Sequence, residues 1–211
     1  MSTNIRNVGQ FEDFMAQKRS DKILETRTKL IKAAREAFAT QGFAESSMDV
    51  LTAQAGLTRG ALYHHFGDKK GLLEAVIAQI DGEMTARLTA IVEKADTTWD
   101  GFIDESIAYV QMALEPEIQR IMFLDGPAAL GDPSRWPSQN SCIMSTQRSI
   151  EKLMEEKTIR PVDAPATARL IMGALLGASL WIASAEDPHS ASQKAVDGFL
   201  ALASGLRRDA R

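Results

Sequence analysis

The sequence predicts an all-α fold, with a small N-terminal three-helix domain built around a helix-turn-helix and a larger helical domain behind it. Three observations carry this. Apolar residues recur at helical spacing along nearly the whole chain, and no stretch alternates with period two for long enough to form a sheet. Two very short helical patterns meet at Gly56. One unbroken apolar stripe then follows, made of Leu72, Leu73, Val76, Ile77, Ile80, Met84, Leu88 and Ile91. At 1.5 Å per residue its helix spans roughly 40 Å, enough to join two domains rigidly.

The elements follow in order. Residues 1–25 read as a flexible extension whose Arg6, Lys18, Arg19 and Lys22 can reach a minor groove. A first helix over 26–41 buries Leu30, Ala33, Ala34, Ala37 and Phe38, and Gly42 stops it. Ser46 or Ser47 caps a second helix over 48–55, with Asp49 near its positive end. Gly56 breaks that helix, because the tight turn needs a residue tolerant of positive φ. Thr58 caps a third helix over 59–66, Gly67 stops it, and Asp68 caps the long fourth, which runs to about residue 95. Further helices are expected over 99–114, 117–124, 138–157, 163–185 and 189–207, with the Pro- and Gly-rich stretch 126–137 as loop. The division expected is an extension, 1–25, a helix-turn-helix domain, 26–71, and a second helical domain, 72–211.

Charge is unevenly placed. The net charge is −4, yet residues 1–70 hold 11 Lys+Arg against 8 Asp+Glu while residues 71–211 hold 13 against 20. A positive lobe on an acidic body suits a protein that meets phosphate with one end only. The single Cys142 excludes an intramolecular disulfide and fits a reducing cytoplasm. Residues 1–25 lack the apolar core of a signal peptide. The longest apolar run, 170–185, is 16 residues with two Gly and two Ser, too short to cross a bilayer comfortably, so no membrane is expected. There is no nucleophile–base arrangement, phosphate loop or spaced metal-ligand cluster, so neither catalytic residues nor a cofactor are expected. The adjacent His64 and His65 point about 100° apart on a helix and make a poor metal site.

In the helix-turn-helix, Leu51 and Ala55 pack the first helix while Leu57 and Leu62 pin the second. Thr58, Arg59, Gly60, Ala61, Tyr63 and His64 are left facing outward, and nothing bulky at Gly60 or Ala61 blocks entry to a major groove. The run AAREAFATQGFAESSMDVLTAQAGLTRGALYHHFGDKKGLL, residues 33–73, resembles the DNA-binding domain of the tetracycline-repressor (TetR) family. The specific elements are Ala34-x-x-x-Phe38 followed by Gly42-Phe43, the Ala55-Gly56-Leu57 turn, Leu62-Tyr63-x-His65-Phe66, and Asp68-Lys69-x-x-Leu72.

The resemblance implies a homodimeric regulator, most simply a repressor that binds a palindromic operator in double-stranded DNA and is released by a small-molecule effector. Arg59, near the start of the recognition helix, can grip guanine O6 and N7. Tyr63 and His65 match family positions that contact phosphate or brace the helix, and Ser47 and Lys69 sit where they can meet the DNA backbone. Gly173-x-x-x-Gly177, flanked by Ala174, Ala178 and Leu180, lets another helix approach closely, within the chain or across a dimer. The resemblance favours a dimer through the last two helices, with Val196, Phe199, Leu200 and Ala203 taking part. Phe102, Met112, Phe123, Trp136, Met144, Met172 and Trp181 are candidates for lining an effector pocket, although Met and aromatic residues at helical spacing also serve as plain core. A DNA-bound activator or nucleoid-associated protein without effector is the alternative, and it predicts a filled core in place of a cavity.

Overall fold

The computed structural model describes residues 5–208, with side chains from Met15 onward except Ala16. Among these residues there are ten α-helices and no strand, only an isolated antiparallel bridge between Ile159 and Arg207. The chain divides into two compact units that part between Val76 and Ile77, where the sequence placed the division at 71/72.

The first unit holds α1 (Ile5–Thr40), α2 (Met48–Gln54), α3 (Arg59–Phe66) and the opening turns of α4 (Lys69–Lys94). Helix α1 starts at Ile5, far earlier than the expected residue 26. Periodicity could not show this over the side chains described, because Met15 and residues 17–25, Ile23 and Leu24 among them, are all exposed. Side-chain pairs four residues apart, Gln17–Asp21 and Lys29–Glu25, support the exposed part. The side chain of Arg6 lies outside the described residues. The core of the unit is made by Leu30, Ala34 and Phe38 from α1, Leu51 from α2, Leu62 from α3, and Leu72 and Leu73 from α4, all fully buried. Each large apolar side chain so buried contributes about 1.5–3 kcal/mol.

The second unit begins at Ile77 and contains the rest of α4, then α5 (Thr98–Met112) and α6 (Pro116–Ile118). A π-helical segment, Gln119–Asp125, leads into α7 (Gly126–Leu130), and a 3-10 turn at Pro133–Arg135 precedes α8 (Pro137–Glu155), α9 (Ala164–Ser184) and α10 (Pro188–Ser204). Most of 126–137, expected as loop, is therefore helical. Pro127 and Pro133 stand in first turns, where a missing N–H leaves no intrahelical bond unmade. Side-chain carboxylates of Asp163 and Asp187 cap α9 and α10 by accepting from Ala166 N and Ser190 N at 2.8 and 3.0 Å.

Helix α9 is the hub, packing on α5, α8, α10 and the π-helical segment through Ala168, Met172, Leu175, Leu176, Ser179 and Ile182. At 21 residues it is long and apolar enough, by length and composition alone, to cross a membrane. The 16-residue run read from the sequence missed this because the helix starts before its most apolar part. Its inner face is occupied by the helical core. Val196, Phe199 and Ala203, expected at a dimer surface, are instead buried within the protomer, Phe199 lying 6.3 Å from the Phe102 ring. Leu200, expected there too, is exposed, so the protomer's own core takes only the Val196, Phe199 and Ala203 side of α10. The outward surface is Leu170, Gly173, Ala174, Gly177 and Trp181 on α9, with Leu200 and Leu202 on α10. The strand-like ends close the unit, with Arg160 N donating to Leu206 O at 2.9 Å and Arg208 N to Thr158 O at 3.1 Å.

Candidate nucleic-acid interface and ligand cavity

The turn between α2 and α3 is built by Gly56, whose φ of +65° lies in the left-handed region, while Leu57 N returns to Thr52 O at 2.8 Å. Ser47 and Thr58 cap the two helices, their hydroxyls accepting from Asp49 N and Ala61 N, each at 3.2 Å. Arg59, Gly60, Tyr63 and His64 are exposed at spacings of one, three and four, so they share one outward face of α3 with Thr58. Ala61, read as outward-facing, is half-buried beside the fully buried Leu62.

His65 is also half-buried. Its carbonyl accepts from Arg27 Nη1 at 2.9 Å, and the same guanidinium stacks 4.6 Å from the Phe66 ring centroid. Burial, then the charges of His64 and Arg27, hold the His65 imidazole below the usual histidine range. The backbone carbonyl of His65 thus ties α3 to α1 through Arg27. Lys69 donates to Ala44 O at 3.2 Å and lies 4.5 Å from the Phe43 centroid, so it ties the start of α4 to the α1–α2 turn. Gly71 is needed beside it, since a Cβ there would stand 2.0 Å from the Phe66 carbonyl oxygen.

Two residues of this surface went unread in the sequence. Arg59 forms a two-pronged ion pair with Asp49 of α2, which had been noted only for its place near a helix start. Arg27 carried no signal at all, because its role depends on a carbonyl 38 residues away.

The second unit contains a cavity of about 190 Å³, bounded by α4, α5, α8 and α9. Phe102 and Met172, both expected at an effector pocket, line it. The other candidates lie elsewhere: Met112 and Phe123 are packed in core, Trp136 is half-buried, and Met144 and Trp181 are about half exposed. Helical spacing selected apolar side chains, whereas much of this cavity wall is polar. Asp81, Thr85 and Thr89 on α4 and Glu105 and Tyr109 on α5 follow the four-residue period of one helix face, a signal that was present but polar. Burial raises the carboxyl groups of Asp81 and Glu105, Ser138 hydrogen-bonding to Asp81 in partial opposition. Burial, then the charges of Asp81 and Glu105, push the Cys142 thiol up to about 11. Among the described residues, no group of three or more His, Cys, Asp or Glu is placed to hold a metal ion.

Comparison with known proteins agrees with this architecture. Residues 30–76 match the family described as bacterial regulatory proteins, tetR family, and residues 99–206 match the tetracyclin repressor-like C-terminal domain. The chain belongs to the TetR family. A crystal structure of a TetR-family transcriptional regulator from Pectobacterium atrosepticum is 48% identical, with a TM-score of 0.85 over 90% of this chain and 98% of that one. The HTH-type transcriptional regulator SrpR of Pseudomonas putida is 30% identical over 53% of this chain and 52% of its own length. UidR of Escherichia coli, another HTH-type transcriptional regulator, is 38% identical over 32% of this chain and 35% of its own. The matched part thus spans about half or less of these two curated TetR-type relatives. The family is one of transcriptional regulators with a DNA-binding helix-turn-helix, not of enzymes.

Proposed function

We propose that this TetR-family protein is a cytoplasmic homodimeric repressor that binds a palindromic operator through α3 and leaves it when a small molecule fills the α4–α5–α8–α9 cavity. The observation that carries this reading is the outward face of α3, where Arg59, Tyr63 and His64 flank a Gly60 that leaves room for a groove. Arg59 reads a base, Tyr63, His64 and the capping Ser47 and Thr58 meet the backbone, and Lys69 and His65 hold the surface in place. The exposed small-residue face of α9 supports dimerisation: a Cβ added at Gly173 or Gly177 would meet nothing within 4 Å, so packing inside the chain does not require either glycine. The cavity favours an effector-responsive protein over the filled-core alternative.

Binding titrations over single-base operator variants test the DNA part. Arg59→Ala is expected to lose about 1–3 kcal/mol and to relax preference at one base pair per half-site. Half-site centres are expected one helical turn apart, about 34–36 Å. Equal losses on every sequence would reduce Arg59 to a phosphate contact. Release is tested by linkage: an effector that lowers operator affinity about a hundredfold, about 2.7 kcal/mol, must itself bind about a hundredfold more weakly to the operator complex. Equal effector affinity with and without operator would overturn the release mechanism.

A further inference from the structure

The cavity wall has an uneven chemistry. Two carboxylates, Asp81 and Glu105, line it, and no Lys, Arg or His does. Leu88, Phe102, Met172 and Leu175 add apolar surface to the same wall. Asp81 is bonded to Ser138, but among the described residues Glu105 has no hydrogen-bond or ion-pair partner. A half-buried carboxylate without a partner is costly, and a ligand that supplies the missing donor and charge recovers that cost on binding. An anionic ligand would meet two like charges in a confined space, and a purely neutral one would leave Glu105 unpaired.

Building on the effector reading of this cavity, we infer that its ligand is a compact amphipathic organic cation, an apolar body bearing an ammonium or amidinium group that pairs with Glu105 and Asp81. The body rests on Phe102, Met172 and Leu175, and the cationic head faces α4 and α5. Burial raises both carboxyl groups and a bound cation favours their ionised forms, so within the raised carboxyl range cation binding expels protons. Affinity then rises with pH through the raised carboxyl range. The other titratable groups on the wall are Tyr109 and Cys142, both shifted upward and uncharged in that range.

The test uses the full chain with three probes of matched shape, 2-phenylethylamine, 2-phenylethanol and phenylacetate, by calorimetry in two buffers of different ionisation enthalpy. The amine is expected to bind at least about tenfold tighter than the alcohol, with proton release, and phenylacetate is expected not to bind. Glu105→Gln should remove that preference, with an unchanged helical circular-dichroism signal showing that the variant is folded. An amine that binds no tighter than the alcohol, or fails to bind, overturns the inference. Ser141→Trp, which adds bulk to the α8 wall of the cavity, separates this from the underlying reading. Alcohol or phenylacetate binding that Ser141→Trp abolishes keeps the cavity as the ligand site and overturns only the charge class. Amine binding that survives Ser141→Trp places the ligand elsewhere and overturns both.

Discussion

Asp49 governs what Arg59 is free to do. Both side chains are more than half exposed, so their ion pair adds little to stability, about 0–1 kcal/mol. In the proposed operator complex it would hold the guanidinium on the protein until a guanine competes for it, and set a negative charge beside the incoming phosphates. Asp49→Ala is expected to tighten non-operator DNA more than operator, narrowing the gap by up to about 1 kcal/mol in competition titrations. Unchanged non-operator affinity would make the pair incidental. Two glycines of α4 give opposite expectations. Gly71→Ala forces a Cβ onto the Phe66 carbonyl and should destabilise the first unit by about 1–3 kcal/mol in chemical denaturation. Gly82→Ala meets nothing within 4 Å and should stabilise its helix by about 0.5–1 kcal/mol. At this scale the sequence revealed residues that act through their own helix, such as Ser47, Thr58 and Asp68. It hid Arg27, Asp49 and Glu105, whose meaning depends on partners brought near only by folding.

Helices were legible wherever one face is buried and a cap marks the start. α2, α3, α4, α9 and α10 begin within a residue or two of where period and capping residues place them. The start of α1 is not legible because its described side chains before residue 26 are exposed, and 126–137 reads as loop only if proline is a breaker, whereas here it opens a turn. The outward face of α9 is legible by residue type, but on α10 only Leu200 of the residues expected there is exposed: without the protomer core, Val196 and Phe199 look as available to a partner as Leu202 does. For dimerisation the decisive variant is thus on α9. Gly177→Glu places a charge where a Cβ finds open space in the protomer, so the fold tolerates it, while a close helix–helix contact does not. Sedimentation should show the dimer converted to monomer, with the helical signal retained. An intact dimer would move the interface off this face.

For the whole molecule, the cavity acids couple stability to pH. A carboxyl group raised by burial binds its proton more tightly folded than unfolded, so its contribution is complete below the unfolded value and is lost as pH climbs through the folded one. The protein should therefore lose stability from about pH 4 upward through the raised range of Asp81 and Glu105. Glu105→Gln should flatten that fall and raise the melting temperature at neutral pH. A steeper or unchanged pH profile in that variant would show that Glu105 carries no such coupling. The pairing of 158–160 with 206–208 has a consequence for the order of events in folding. It closes a loop containing the whole of α9 and α10, and closure of so long a loop is entropically unfavourable until those helices are already packed. The bridge should therefore form late, after the folding barrier. Ile159, 1% exposed, is its buried anchor. Ile159→Ala, costing about 2–5 kcal/mol, should speed unfolding by nearly the full amount and leave the refolding rate almost unchanged in stopped-flow measurements. A refolding limb slowed by the same amount would instead place the C-terminal clasp in the nucleus.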